Sequence, residues 1–149
     1  MCSAISNTTN NADPISDFNT SLMAKKIINT TDAPAPIGPY SQAVMYGDML
    51  YTSGQIAIDP KSGEMVMESI QAETRQVMEN LKAVLAAADM SFENVIKTTI
   101  FLNDMGQFAE VNAIYGEYFH VDTAPARETV QVANLPKYVN VEIGMIAGR

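Results

Sequence analysis

The sequence predicts an α+β domain: a single mixed β-sheet with two helices packed on one face. Three observations point there. Short β-branched or alternating runs stand at both ends of the chain, two segments carry apolar residues at helical spacing, and the order is hairpin, helix, strand, helix, strand, strand. That order reads as two β-α-β halves sharing one sheet, with both helices on one side. No sequence repeat links the halves.

The first element is a short strand at residues 26–29, after which DAPAPIGPYSQ supplies three prolines and a glycine and reads as a stiff loop. Residues 43–46 and 49–52 flank Gly47-Asp48, a two-residue turn between apolar runs, and so form a hairpin; DPKSGE, residues 59–64, is a further turn. From 68 to 88, Ile70, Val77, Leu81, Val84, Leu85 and Ala88 recur at helical spacing, with Glu73, Arg75, Glu79 and Lys82 elsewhere on the wheel. VIKTTIFL, residues 95–102, is strand-like. Phe108, Val111, Tyr115, Tyr118 and Phe119 mark a second amphipathic helix, which Asn103 or Asp104 is placed to cap. Strands at 128–133 and 139–147 close the chain, joined by NLPKY. With helices on one side only, the other sheet face stays uncovered, and its alternating apolar residues point to burial against another subunit.

Composition narrows the function. With 149 residues, 47% hydrophobic, the chain holds one compact domain. A formal charge of −8 without a local Lys/Arg cluster disfavours nucleic acid. The lone cysteine, Cys2, gives no disulfide framework, and the single histidine, His120, leaves no Cys/His set for zinc. His120 reads as a helix terminus, and the ten methionines as core filler plus two alternative starts. Residues 1–22 have neither the basic start nor the apolar run of a secretory signal, and nothing later reaches membrane-spanning length. The expectation is a disordered leader at 1–22, a domain at 23–149 and a cytoplasmic location.

A few residues invite chemistry. Arg127 opens an apolar strand in TAPARETVQV, on the polar side with Thr129 and Gln131. A planar guanidinium there pairs with an internal carboxylate or anchors a carboxylic acid. Glu142 interrupts the apolar run VNVEIGMIAG, costly unless paired or functional. If the last two strands are antiparallel neighbours, it is the internal partner of Arg127; in the functional reading it holds or deprotonates a water beside a substrate that Arg127 has anchored, and the two readings are compatible. Ser53-Gly54 follows a strand, where a hydroxyl and bare backbone can approach a ligand or simply turn the chain. Tyr40 ends the proline-stiffened loop as a pocket wall or a packing group, and Asn112 stands four residues after Phe108, where its amide needs a partner.

Taken in order, IGPYSQAV, YTSGQIAIDPKSGE, VIKTTIFLNDMGQFAEVNAIYGEYF, APARETVQVANLPK and VEIGMIA resemble the Rid (YjgF/YER057c/UK114) family of imine/enamine deaminases, from about residue 23 to the C-terminus. The resemblance implies a chorismate-mutase-like fold and a homotrimer with sites between subunits. It implies hydrolysis of 2-aminoacrylate and related enamines or imines to 2-oxo acids and ammonia, without a cofactor or a metal. On it, Arg127 grips the substrate carboxylate and Glu142 orients water. Tyr40, Ser53, Gly54, Asn112 and Thr129 line the pocket. Thr129 stands where many members have cysteine, and Gly144 where several have a second glutamate. A non-catalytic sensor of small carboxylates such as 2-oxo acids, a ribonuclease or translation inhibitor, and a structural trimer are the competing readings.

Overall fold

The computed structural model describes residues 24–149; the expected leader at 1–22 and the alternative start at Met23 lie outside the described residues. Six strands form one sheet: β1 (Lys25–Ile28), β2 (Ala43–Tyr46), β3 (Met49–Thr52), β4 (Val95–Leu102), β5 (Ala126–Gln131) and β6 (Val141–Gly148). Two helices, α1 (Ile70–Ala86) and α2 (Phe108–Gly116), complete the two halves. The spatial order is β1-β2-β3-β6-β4-β5, antiparallel throughout except for β4 beside β5. This is the mixed sheet with two helices that the element order implied.

Local chemistry explains the elements. Gly47, at φ 58°, takes the left-handed backbone of the β2–β3 turn. Ser69 caps α1 by accepting from the Ala72 amide. Val77, Met78, Leu81, Val84 and Leu85 of α1 are fully buried, and they meet Leu50, Ile100, Leu102, Ile143 and Met145 from the sheet. Each such side chain contributes about 1.5–3 kcal/mol by leaving water. Asp104 does cap, but it caps the short 3-10 turn Met105–Gln107 that precedes α2, accepting from the Gly106 amide at 2.8 Å.

Two expectations are corrected. Glu73 was placed away from the apolar stripe, yet it is completely buried. Its carboxyl oxygens accept from the Asn140 amide at 2.7 Å, the Asn140 side-chain nitrogen at 2.8 Å and the Val141 amide at 3.3 Å. Those bonds satisfy a polar group that could not otherwise enter the core. The second correction is topological. The last two strands are not neighbours, because β4 lies between β5 and β6. The connecting segment runs from one to the other through Lys137 and Tyr138, both at positive φ (55° and 58°) without being glycine, a backbone region that costs on the order of 1 kcal/mol per residue.

The side of the sheet away from the helices carries Ile27, Tyr46, Tyr51 and Val130, each more than 40% exposed. Among the described residues, no helix is long and apolar enough to cross a membrane.

Candidate active site

The sheet register separates the two charged residues singled out in the sequence. Arg127 on β5 pairs with Thr98 on β4, which is fully buried and accepts a hydrogen bond from the α2 residue Tyr115 at 3.1 Å. Cross-strand partners share a face, so Arg127 lies on the helix side. Glu142 pairs with Phe101, and along β6 it alternates with the buried Val141 and Ile143. It therefore lies on the open side. With a strand between them and opposite faces, Arg127 and Glu142 cannot form the internal pair considered from sequence. Arg127 does share its side with Thr129 and Gln131, but that side faces the helix; Val130, the partner of Phe101, points to the open side.

Arg127 sits in an aromatic cradle along one side of α2. Its guanidinium carbon lies 5.0 Å from the Tyr115 ring centroid and 5.6 Å from that of Phe108, and Nη1 donates to Asn112 Oδ1 at 2.7 Å. Asn112 was expected near the buried stripe; it is exposed on α2 and spends its amide oxygen on Arg127. Among the described residues, no carboxylate lies within ion-pair distance of this guanidinium. Ring faces hold the cation flat and leave its remaining donors free. Pro125, Val121 and Phe119 complete a recess of about 390 Å³. Burial pushes the Tyr115 phenol up, the Thr98 hydrogen bond and the charge of Arg127 opposing it. The Thr129 hydroxyl on the same strand is buried without a hydrogen-bond partner.

Glu142 lines a second cleft of about 310 Å³ with Ile37, Tyr40, Ser53, Gly54, Ile56 and Pro136. The β3–β6 ladder is interrupted here. It runs to Tyr51 opposite Ile146, Thr52 Oγ1 then accepts the Met145 amide at 2.8 Å, and pairing resumes only between Gln55 and Ile143. In that gap Gly54 meets the Glu142 side chain so closely that an added Cβ would stand 1.9 Å from Glu142 Oε1. The missing side chain at Gly54 is what lets the Glu142 carboxyl lie where it does. Gly144 has ordinary room, with nothing nearer than 3.8 Å to an added Cβ. Burial raises the Glu142 carboxyl above its ordinary range, and no hydrogen bond from the described residues reaches it. Ser53 donates to the Ser41 carbonyl at 2.6 Å, so its hydroxyl is left to accept from a ligand.

Sequence reasoning missed the residue that holds Tyr40 in place. Gln42 is 2% exposed; its side-chain nitrogen donates to the carbonyls of Thr30, Ala33 and Pro34 at 2.9–3.1 Å, and its oxygen accepts from the Thr30 amide at 2.6 Å. The start of the proline-rich loop is thereby tied to its end, and the Tyr40 hydroxyl accepts from the Ile37 amide at 3.2 Å. A lone glutamine after a loop carries no pattern that signals this. His120 is exposed and accepts from the Asp122 amide through Nδ1 at a short turn after α2, remote from Glu142's cleft.

The seven sequence-selected residues thus fall into two groups. Arg127, Asn112 and Thr129 belong to the helix side, and Tyr40, Ser53, Gly54 and Glu142 to the other cleft.

Comparison with known proteins shows the family. Residues 30–148 match the family model described as Endoribonuclease L-PSP. The chain is 53% identical over 126 residues to a RutC family protein of Synechocystis, covering 84% of this chain and 97% of that protein. It is 50% identical over 126 residues to the 2-iminobutanoate/2-iminopropanoate deaminase of Salmonella typhimurium, covering 83% and 98%. The solved structure of E. coli TdcF with bound serine superposes with a TM-score of 0.78 at 45% identity, covering 83% and 98%. The chain belongs to the Rid (YjgF/YER057c/UK114) family.

Proposed function

We propose that this protein hydrolyses carboxylate-bearing enamines and imines such as 2-aminoacrylate to 2-oxo acids and ammonia. In this reading it works as a homotrimer, with the Arg127 group of one chain facing the Glu142 cleft of the next. The observation that carries it is a double incompleteness: among the described residues, a guanidinium with no anion and a half-buried carboxyl with no donor, on opposite faces of one sheet. A small carboxylic acid held between two copies completes both. The deaminase name of the Salmonella relative and the serine bound to TdcF, itself a small carboxylate, support the substrate class.

The chemistry is within reach of so sparse a site. Arg127 takes the substrate carboxylate in two parallel hydrogen bonds, and Asn112 fixes the guanidinium plane. The enamine tautomerises to the imine, placing electrophilic carbon against Glu142. The Glu142 carboxylate accepts a proton from water as the water oxygen bonds to that carbon and passes it to the imine nitrogen, giving a carbinolamine. Glu142 then takes the carbinolamine hydroxyl proton and delivers it to the amino nitrogen as the C=O bond forms and the C–N bond breaks, and ammonia and a 2-oxo acid leave. Positioning supplies much of the acceleration, because the imine carbon already accepts water. Ser53 and Tyr40 wall the cleft, Thr129 stands beside the anchor on the same face of its strand, and the scheme needs no cofactor. The ribonuclease reading is disfavoured by a net charge of −8.

The test is 2-oxo acid release from 2-aminoacrylate generated in place by a serine or threonine dehydratase, comparing wild type with Arg127→Ala. Acceleration by wild type alone supports the deaminase. Binding of 2-oxobutyrate without turnover would turn the reading to a carboxylate sensor.

A further inference from the structure

We infer that Glu73 is a positioning residue for this reaction, clamping the strand that carries Glu142 and the turn that carries Pro136. The inference rests on the deaminase reading. A carboxyl group fully buried on the core side of α1 demands a reason, since an apolar side chain would pack there without needing partners. All three of its hydrogen bonds go to two adjacent residues, Asn140 and Val141, immediately before Glu142. Asn140 is held from the other side as well, its carbonyl accepting from the Asn103 amide at 2.9 Å.

The clamp sits at the downstream end of a strained segment. Lys137 and Tyr138 both occupy the left-handed region, closed only by the Tyr138 amide to the Leu135 carbonyl at 3.0 Å and the Val139 amide to the Pro136 carbonyl at 3.3 Å. Backbone strain of this kind persists where the surroundings over-determine it. Pro136 at the upstream end is a wall of the Glu142 cleft. Releasing Asn140 and Val141 would let the turn relax and move two walls of the cleft together. The Arg127 group is on another strand and the other face, so it would stay where it is.

The test is the kinetics of 2-aminoacrylate hydrolysis by wild type, Glu73→Ala, Glu73→Gln and Val77→Ala, each verified as folded by circular dichroism. Glu73→Ala is expected to lower kcat about 10–100-fold with KM within about threefold, because misplacement strikes the water-activating group and not the carboxylate anchor. Glu73→Gln keeps an oxygen for the two backbone amides and, with the Asn140 amide flipped, its own nitrogen meets an acceptor, so it restores kcat to within about threefold. Val77→Ala, on the same helix, destabilises without a loss of kcat. Wild-type kcat in Glu73→Ala, or an equal kcat loss in Val77→Ala, overturns the inference while the deaminase reading stands. Should Glu73→Ala not fold, Asn140→Ala decides: it removes one of the three bonds, and a kcat unchanged from wild type overturns the clamp. No turnover by wild type refutes the deaminase reading itself and the inference with it.

Discussion

The Arg127 recess and the Glu142 cleft are built on opposite principles. The first is exposed and rich in attraction, its cation flanked by two ring faces and one neutral amide and matched to no anion among the described residues. The second is drier and poor in partners, its carboxyl pressed on a bare backbone that makes room for it. One is suited to holding charge, the other to moving a proton. Their separation on two faces of a sheet teaches that one chain carries an anion-seeking group and a proton-accepting group without being able to bring them together.

The sharpest way to break that comparison is to disable each side in turn. Arg127→Ala is expected to lower kcat/KM about 10³-fold, mostly through KM, and Glu142→Gln to lower kcat about 10²-fold with KM nearly unchanged. Both should retain wild-type circular dichroism. Co-refolding the two variants in equal amounts should restore about a quarter of wild-type activity if each site takes one group from each of two chains. Restoration absent in the mixture would mean that both groups act from the same chain.

Gly54→Ala comes next. Its methyl would occupy the position of Glu142 Oε1, a flexible side-chain end, so the carboxyl moves away at little cost in stability. A fall in kcat of about tenfold, with a melting temperature close to wild type, is the expected result. Gly144→Ala, where there is room, is its control.

The proton-moving side should also be visible in pH dependence. Burial raises the Glu142 carboxyl in the folded chain, so between its unfolded and folded pKa the native state binds more protons than the unfolded one. That contribution to stability is full below the ordinary carboxylate range and declines as pH rises through the raised value. Denaturant titrations should show Glu142→Gln without this decline, and the acid limb of wild-type kcat should lie above the ordinary glutamate range.

The smallest effect belongs to Thr129. Its hydroxyl is buried and unpartnered, so Thr129→Val should raise stability by up to about 1 kcal/mol by removing an unsatisfied group. A rise in KM alongside would mark the hydroxyl as part of the anchor side.

The comparison also explains what sequence could and could not tell. Strand and helix identities followed from side-chain period, and β4 in particular matched residue for residue, because burial of one face imposes that period on the chain. Arg127 and Glu142 stood out because a charge within an apolar run needs a cause. Their division into two groups was hidden: β5 and β6 are consecutive in the chain, and only the insertion of β4 between them puts a strand between Arg127 and Glu142. Glu73 was misplaced for a related reason. Period assigns a carboxyl to solvent by default, and the amides that receive it lie 67 and 68 residues away in the chain.

Gln42 carries a last consequence. By fastening three carbonyls and an amide along the loop that ends at Tyr40, it settles the cost of ordering that wall when the chain folds and leaves none to be met at encounter. On the deaminase reading the substrate decomposes in water on its own, which leaves little time for a gate to swing shut. A cleft whose wall is already standing can catch such a molecule at the speed of collision, so the race is decided by how many copies of the protein are present.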